Sequence, residues 1–239
     1  MIFGWVSLQN KTWAGQYITE DPEITAYEHI ELIPFASVYK ISPFKYIQVP
    51  AVEMNMGVHK DLEAHIILPA AIIIPKQKPT HYGCGDIETG LKYLLLAEKD
   101  WVPALAFYPK VSLPAGDMRL GLGFGGAFEQ FPLWFEKNWG SWKLTGGGGY
   151  TLTQAPMTKD YWFGGYVLQK EVLPKELTFG GELYAQGNIG QGIKKSLILT
   201  LGGNYNFTPT FAFVCSVGRS IAGQNTFTGY IGFDIVVGP

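Results

Sequence analysis

Alternation with a two-residue period runs through most of this chain and limits what it can fold into. Between residues 196 and 207, Leu197, Leu199, Leu201, Gly203, Tyr205 and Phe207 fall on one side. Ser196, Thr200, Gly202, Asn204 and Asn206 fall on the other, with Ile198 the exception. Near the C-terminus, Phe227, Gly229, Ile231, Phe233 and Ile235 alternate with Thr228, Tyr230, Gly232 and Asp234. Successive side chains of a strand point to opposite faces, so each stretch has one oily and one polar face. Many such strands without covering helices leave two places for the oil: the dry interior of a sandwich, or lipid.

Composition narrows the choice. Of 239 residues, 47 % are hydrophobic, 15 % aromatic and only 16 % charged, with 30 glycines. Low charge, many aromatics and many glycines fit a transmembrane barrel with aromatic girdles and an uncharged outer band, but also fit a secreted sandwich. A formal net charge of −2 without a basic stripe argues against a nucleic-acid partner. The oiliest stretch, Leu62 to Pro75, is interrupted by Glu63, His65 and Pro69, which excludes a membrane-spanning helix. The opening Met1-Ile-Phe-Gly-Trp-Val6 is too short for an apolar signal core, so no export signal is expected in this sequence. Cys84 is expected in a loop and Cys215 on an oily strand face, which suits neither a disulfide framework nor a metal site.

No linker divides the chain. The expected organisation is an irregular lead-in over residues 1–24 and one β-domain over 25–239. About twelve strands are expected near 27–38, 46–56, 62–74, 86–97, 102–113, 126–137, 142–152, 161–171, 177–186, 195–207, 210–218 and 226–236. Their connections alternate in length. Gly57–Asp61, Glu98–Trp101, Asn138–Ser141, Val172–Glu176 and Thr208–Pro209 are short. Ile41–Lys45, Lys76–Gly85, Pro114–Gly125, Leu152–Asp160, Gly187–Lys194 and Arg219–Thr226 are longer. Short turns at one end and longer loops at the other mark an outer-membrane barrel with an even strand count, both termini at the periplasmic end. Trp101, Trp139, Trp142, Tyr150, Tyr161 and Trp162 gather near strand ends, where girdles belong. The fold expected is therefore all-β: a single antiparallel transmembrane β-barrel, an up-and-down meander.

The polar parity carries Glu63, His65, Glu88, Lys92, Lys110, Glu182 and Asp234. Unpaired charge cannot sit in a dry core. These residues are candidates to line a lumen, either setting the selectivity of a pore or forming an ion-paired network that fills the barrel. The glycine run Gly121-Leu-Gly-Phe-Gly-Gly126 spells a dinucleotide fingerprint, but no helix pattern follows to receive a pyrophosphate, and a mobile external loop fits better. Gly146–Gly149 has no following Lys-Ser/Thr and suits relief of crowding beside a neighbour's ring. His29, His59, His65 and His81 have no obvious serine partner, and Gly218-Arg-Ser220 lacks the following glycine of a nucleophile elbow. No enzyme, cofactor or metal is expected.

A family resemblance adds to this. Residues 80–93 read Thr-His-Tyr-Gly-Cys-Gly-Asp-Ile-Glu-Thr-Gly-Leu-Lys-Tyr, and 102–117 read Val-Pro-Ala-Leu-Ala-Phe-Tyr-Pro-Lys-Val-Ser-Leu-Pro-Ala-Gly-Asp. With Thr19-Glu-Asp-Pro-Glu23, Leu133-Trp134, Gly140-x-Trp142, Gly146-Gly-Gly-Gly-Tyr150, Phe179-Gly-Gly-Glu-Leu183, Gly202-Gly-Asn-Tyr205 and Ser216-Val-Gly-Arg219, this resembles the bacterial outer-membrane family associated with phenol meta-pathway degradation and labelled simply "transporter". The likeness covers about residues 17 to 236. It implies a barrel in a Gram-negative-type outer membrane that passes small, apolar or aromatic molecules, has the lipid bilayer and the barrel-assembly machinery as partners, and has no catalytic residues. Two departures stand out: the absent export signal, and an end in Val236-Val-Gly-Pro239 where the family's last strand commonly closes on an aromatic. The other readings are a non-transporting barrel whose loops bind partners, and a soluble ligand-binding sandwich.

Overall fold

The computed structural model describes residues 16–42, 44–190 and 192–239; the opening segment Met1–Val6 lies outside them. Twelve antiparallel strands form one closed ring. They are β1 (Ile30–Ile41), β2 (Phe44–His59), β3 (Leu62–Pro75), β4 (His81–Cys84 continuing as Ile87–Leu96), β5 (Ala104–Phe107 continuing as Lys110–Leu113) and β6 (Phe128–Trp139). After them come β7 (Trp142–Thr153), β8 (Tyr161–Leu173), β9 (Leu177–Gln186), β10 (Ser196–Thr208), β11 (Phe211–Gly223) and β12 (Thr226–Val237). Each pairs with the next, and β12 returns to β1 with Val237 opposite Ile30 and Thr226 opposite Ile41. Closure leaves no open edge, the condition for strands to cross hydrocarbon. Among the described residues no helix is long and apolar enough to cross a membrane.

The two faces are inverted relative to a soluble protein. Leu91, Phe179, Leu201 and Ile231 stand about half exposed on the outside. Glu63, Lys92, Glu182 and Asp234 are buried on the inside. Oil facing outward over the whole circumference and charge facing inward is stable only with acyl chains outside and a polar lumen within. The sandwich reading is excluded by the same observation. Ile198, the exception in its strand, does point inward and is fully buried.

Aromatic rings collect at both outer rims. Tyr150 and Trp162 pack at 4.7 Å near one rim. At the other, Tyr205, Phe207, Phe211 and Phe233 form a chain of rings with centroids 5.1 to 5.8 Å apart. Trp139 and Trp142 face each other across the Gly140 turn, and Trp101 is almost fully exposed. Tyr161, expected in a girdle, instead turns inward against buried Phe163.

One expected continuous strand is interrupted, and another gains a segment across a break where a loop was expected, each for a local reason. In β5 the break falls at Tyr108-Pro109. Tyr108 donates to the Pro132 carbonyl (3.2 Å) and Leu91 to the Pro109 carbonyl (3.1 Å), but neither proline has an N–H to return the bond. In β4 the break falls at Gly85-Asp86, where the register on β3 moves from Cys84 opposite Ala70 to Glu88 opposite Ile67. Cys84 is therefore in a strand segment, not a loop. The glycine run of β7 acts as expected: a Cβ on Gly146 would enter the Tyr166 ring, and one on Gly147 would meet Trp134.

Connection lengths need correction. β11 continues to Gly223 because Ser220 and Ala222 pair with Ile198 and Leu197, so residues 224–225 are a tight turn; β2 likewise begins at Phe44, soon after β1 ends at Ile41. Connections 76–80, 114–127, 154–160 and 187–195 lie at the far end from the start of β1 and the end of β12; at the near end the turn expected over Glu98–Trp101 is longer, spanning 97–103.

Candidate functional site

The inner face of the barrel is the only place where ionised groups converge among the described residues, and the chain's own N-terminal segment occupies it. Gln16, Thr19, Asp21 and Thr25 are all buried. The segment enters beside β2, where Glu28 N–H bonds to the Gly57 carbonyl (3.0 Å) and Gly57 N–H bonds to the His29 carbonyl (3.0 Å). A Cβ at Gly57 would collide with the Ala26 backbone, so only glycine lets the chain cross the strand this closely. Gly165 on β8 plays the same part for Thr19.

Six of the seven inward residues expected from strand parity bind this segment or touch the groups that do. The Glu63 carboxylate accepts from the Thr25 backbone N–H (2.6 Å). Lys92 donates to the Glu23 carbonyl (3.0 Å) and stands 3.7 Å from Glu63 and 3.8 Å from Asp21. Lys110 bridges Glu20 and Glu88, at 3.1 Å from each. His65 lies between Asn55 (2.8 Å) and Glu88 (3.3 Å). On the other side, Glu182 accepts from the Thr19 backbone N–H (2.6 Å). The seventh, Asp234, is fully buried on β12 and joins the same network through a hydrogen bond with Glu31, whose carboxylate also accepts from Asn55 (2.8 Å).

Topology gives these bonds their meaning. Thr25 is tied to β3 and Thr19 to β9, six strands apart in a ring of twelve. The two anchors are therefore on opposite walls, and the segment crosses the full bore. Each anchor is a charge-assisted bond to a carboxylate in a site shielded from bulk water, where such bonds are strongest.

Sequence reasoning missed half of this network. Glu20 and Asp21 were legible only as part of an acidic lead-in. Glu53, Asn55, Glu136 and Lys143 are also buried inside, with Lys143 3.1 Å from Glu136. Strand parity would have found the last four, because Glu53 and Asn55 alternate with Val52 and Met54, and Lys143 shares the inward parity of Thr145.

Part of the lumen wall is aromatic. Tyr108, Trp134, Phe163 and Tyr184 form one buried cluster, and Lys92 and Lys110 lie over the Tyr108 ring at 4.8 and 5.1 Å. The Trp134 Nε1 donor is buried with no partner among the described residues, so a solvent or solute acceptor would complement it. The far mouth is narrowed by loops that fold inward. Ile189 and Ile193 pack with Ile41, Phe128 and Ala155, and Leu122 packs on Ala71 and Ile73.

The glycine-rich stretch is thus an ordered inward loop. Its 3-10 turn, Met118–Leu120, is capped by Asp117, which accepts from Arg119 N–H (2.9 Å). The Arg119 guanidinium bonds to the same carboxylate and holds it low, at about 2. Asp86 fastens the loop by accepting from Gly116 N–H (3.0 Å) and Phe124 N–H (2.9 Å). These bonds explain the β4 break, since Asp86 turns out of the ladder to make them. Bonds to a charged acceptor are worth about 1.5–3 kcal/mol each. Asp86→Ala is expected to release the loop, seen as several-fold faster proteolysis within 114–127 while the barrel itself stays resistant. An unchanged cleavage rate would show that Leu122 packing alone holds it.

Comparison with known proteins follows this geometry. A family profile described as "Putative MetA-pathway of phenol degradation" matches residues 25–232. No curated protein matches in sequence. Among solved structures, an outer membrane channel from Pseudomonas putida F1 superposes with a TM-score of 0.69 at 14% identity, covering 90% of this chain and 97% of that one. The KdgM porin, solved with disordered oligogalacturonate, superposes at 0.58 and 8% identity, over 86% and 98% of the two chains. The NanC porin superposes at 0.57 and 9% identity, over 85% and 98%. At such identities the likeness is one of fold.

Proposed function

The chain belongs to this phenol-degradation family, and from that premise we propose that it is an outer-membrane channel for passive passage of small apolar or aromatic molecules, closed at rest by its own N-terminal segment. The observation that carries this reading is the segment tied to opposite walls of an otherwise polar bore. A barrel that served only as a scaffold would have no need of a chain segment across its centre.

The lining supports the substrate class. A solute entering from the loop end meets the apolar cap of Ile189, Ile193 and Phe128, and then has the Tyr108, Trp134, Phe163 and Tyr184 cluster on one wall with the Glu88 and Lys110 pair beside it. Aromatic faces favour flat apolar solutes, and the Trp134 N–H suits a hydroxyl or carboxylate on such a ring. In this reading the long loops face outward and both termini face the periplasm. The residues Glu63, His65, Glu88, Lys92, Lys110, Glu182 and Asp234 line the path once the segment leaves.

Uptake of a radiolabelled phenolic compound at limiting concentration tests this in cells with and without the protein. Faster uptake of the phenolic than of a sugar of similar size is expected only in cells that carry it. Equal uptake with and without the protein, together with silent planar bilayers, would favour a structural barrel with partner-binding loops.

A further inference from the structure

The outer wall distributes its charge unevenly. At the far rim, Lys45 stands opposite Lys40, Lys40 opposite Phe227, and Phe227 opposite Arg219. These four residues form one row across β2, β1, β12 and β11, four adjacent strands of the ring. All four lie on the outward parity and are exposed. Toward the terminal end, the outer face below them is apolar: Val38 under Lys40, Ile47 under Lys45, Val217 under Arg219. Ten residues separate Ile30 from Lys40 on β1, which at the usual rise and tilt is about 25 Å, the height of the apolar band of an outer-membrane barrel. The row therefore marks the upper edge of the hydrocarbon.

Two lysines directly opposite on neighbouring strands repel each other. Among the described residues, neither they nor Arg219 has a carboxylate at ion-pair distance. The terminal rim differs: there Lys137 pairs with Glu98, Lys60 with Asp61, and Lys170 lies over the Trp142 ring. A repelling row left without counter-charge at a lipid boundary calls for an anion from the membrane.

Spacing selects which anion. Neighbouring strands are about 4.8 Å apart, so Lys40 and Arg219 are separated by roughly 10 Å and the whole row spans roughly 14 Å. A lipid with a single phosphodiester reaches one end of the row. A disaccharide lipid with a phosphate on each sugar reaches both, with Arg219 able to fork one phosphate and the lysine pair sharing the other. Its acyl chains would lie along the apolar strip beneath.

We propose that this row binds the two phosphates of a bisphosphorylated, acylated glucosamine disaccharide of the outer leaflet. The assignment rests on the reading above that the loop end faces outward. The full-length protein in neutral detergent would be titrated with bisphosphorylated lipid A, with the same lipid after removal of both phosphates, and with phosphatidylglycerol, and adducts counted by native mass spectrometry. One tight adduct with the bisphosphorylated lipid is expected, none with the dephosphorylated lipid, and binding at least tenfold weaker with phosphatidylglycerol. The triple variant Lys40→Gln, Lys45→Gln, Arg219→Gln should lose at least tenfold in affinity while keeping its heat-shifted gel mobility. Equal binding of the dephosphorylated lipid, or unchanged binding by a folded triple variant, overturns the site; equal binding of phosphatidylglycerol overturns the disaccharide assignment. Orientation is read separately, by labelling Lys78→Cys in a Cys84→Ser, Cys215→Ser background on intact cells with an impermeant maleimide. Absence of labelling there would overturn the outward reading while leaving the detergent result to stand.

Discussion

Removal of residues 1–25 should raise the single-channel conductance of the barrel several-fold. Those residues include the groups that tie the segment across the bore: the Thr19 and Thr25 amides, the Glu23 carbonyl and the Glu20 and Asp21 carboxylates. The wall does not depend on them, because its ladder closes through β1 and β12 alone. The shortened protein should therefore still fold and still shift its gel mobility on heating. The lumen it leaves is wider and keeps more carboxylates than lysines, so current should favour cations. Planar-bilayer recording in a salt gradient reads both effects. A truncated barrel with the conductance of the full chain would mean that the inward loops, not the segment, limit passage.

Lys92→Glu should have a comparable effect without any deletion. Lys92 is almost completely buried and is the one cation shared by Glu63, Asp21 and the Glu23 carbonyl. Reversing its charge leaves Glu63 and Asp21 facing a third carboxylate and the Glu23 carbonyl without a donor. Breaking a buried ion pair costs about 3–5 kcal/mol, and the cheapest relief is for the segment, which carries Asp21, to leave. Larger and more cation-selective current steps are expected, with a lower temperature for the gel-mobility shift. Lys92→Arg should behave as the native chain. Unaltered conductance in Lys92→Glu would show that the anchors at Glu182 and Lys110 hold the segment on their own.

Much of the wall was legible because a closed barrel obeys one rule at every strand. Parity alone put Leu91, Tyr93 and Leu95 outside and Glu88 and Lys92 inside, and it placed Cys215 among the outward residues. It could not locate breaks such as Tyr108-Pro109 and Gly85-Asp86, because these depend on which carbonyl a neighbouring strand offers. Strand ends near Gly223 were missed because small residues carry no alternation. The crossing segment was the largest omission. Residues 16–25 have no period, and their place is fixed by bonds from backbone N–H groups to Glu63 and Glu182, residues remote in sequence. The acidic run Glu20-Asp21-Pro22-Glu23 did contain a clue, since the lumen offers Lys92 and Lys110 to exactly such a stretch of charge.

A tie between facing walls acts on the hoop as well as on the hole. Like a spoke, it resists flattening of the cross-section, and each end is fastened to a strand on the opposite arc. Under the proposed function, clearing the passage would also slacken the rim, so the open barrel would be the softer one.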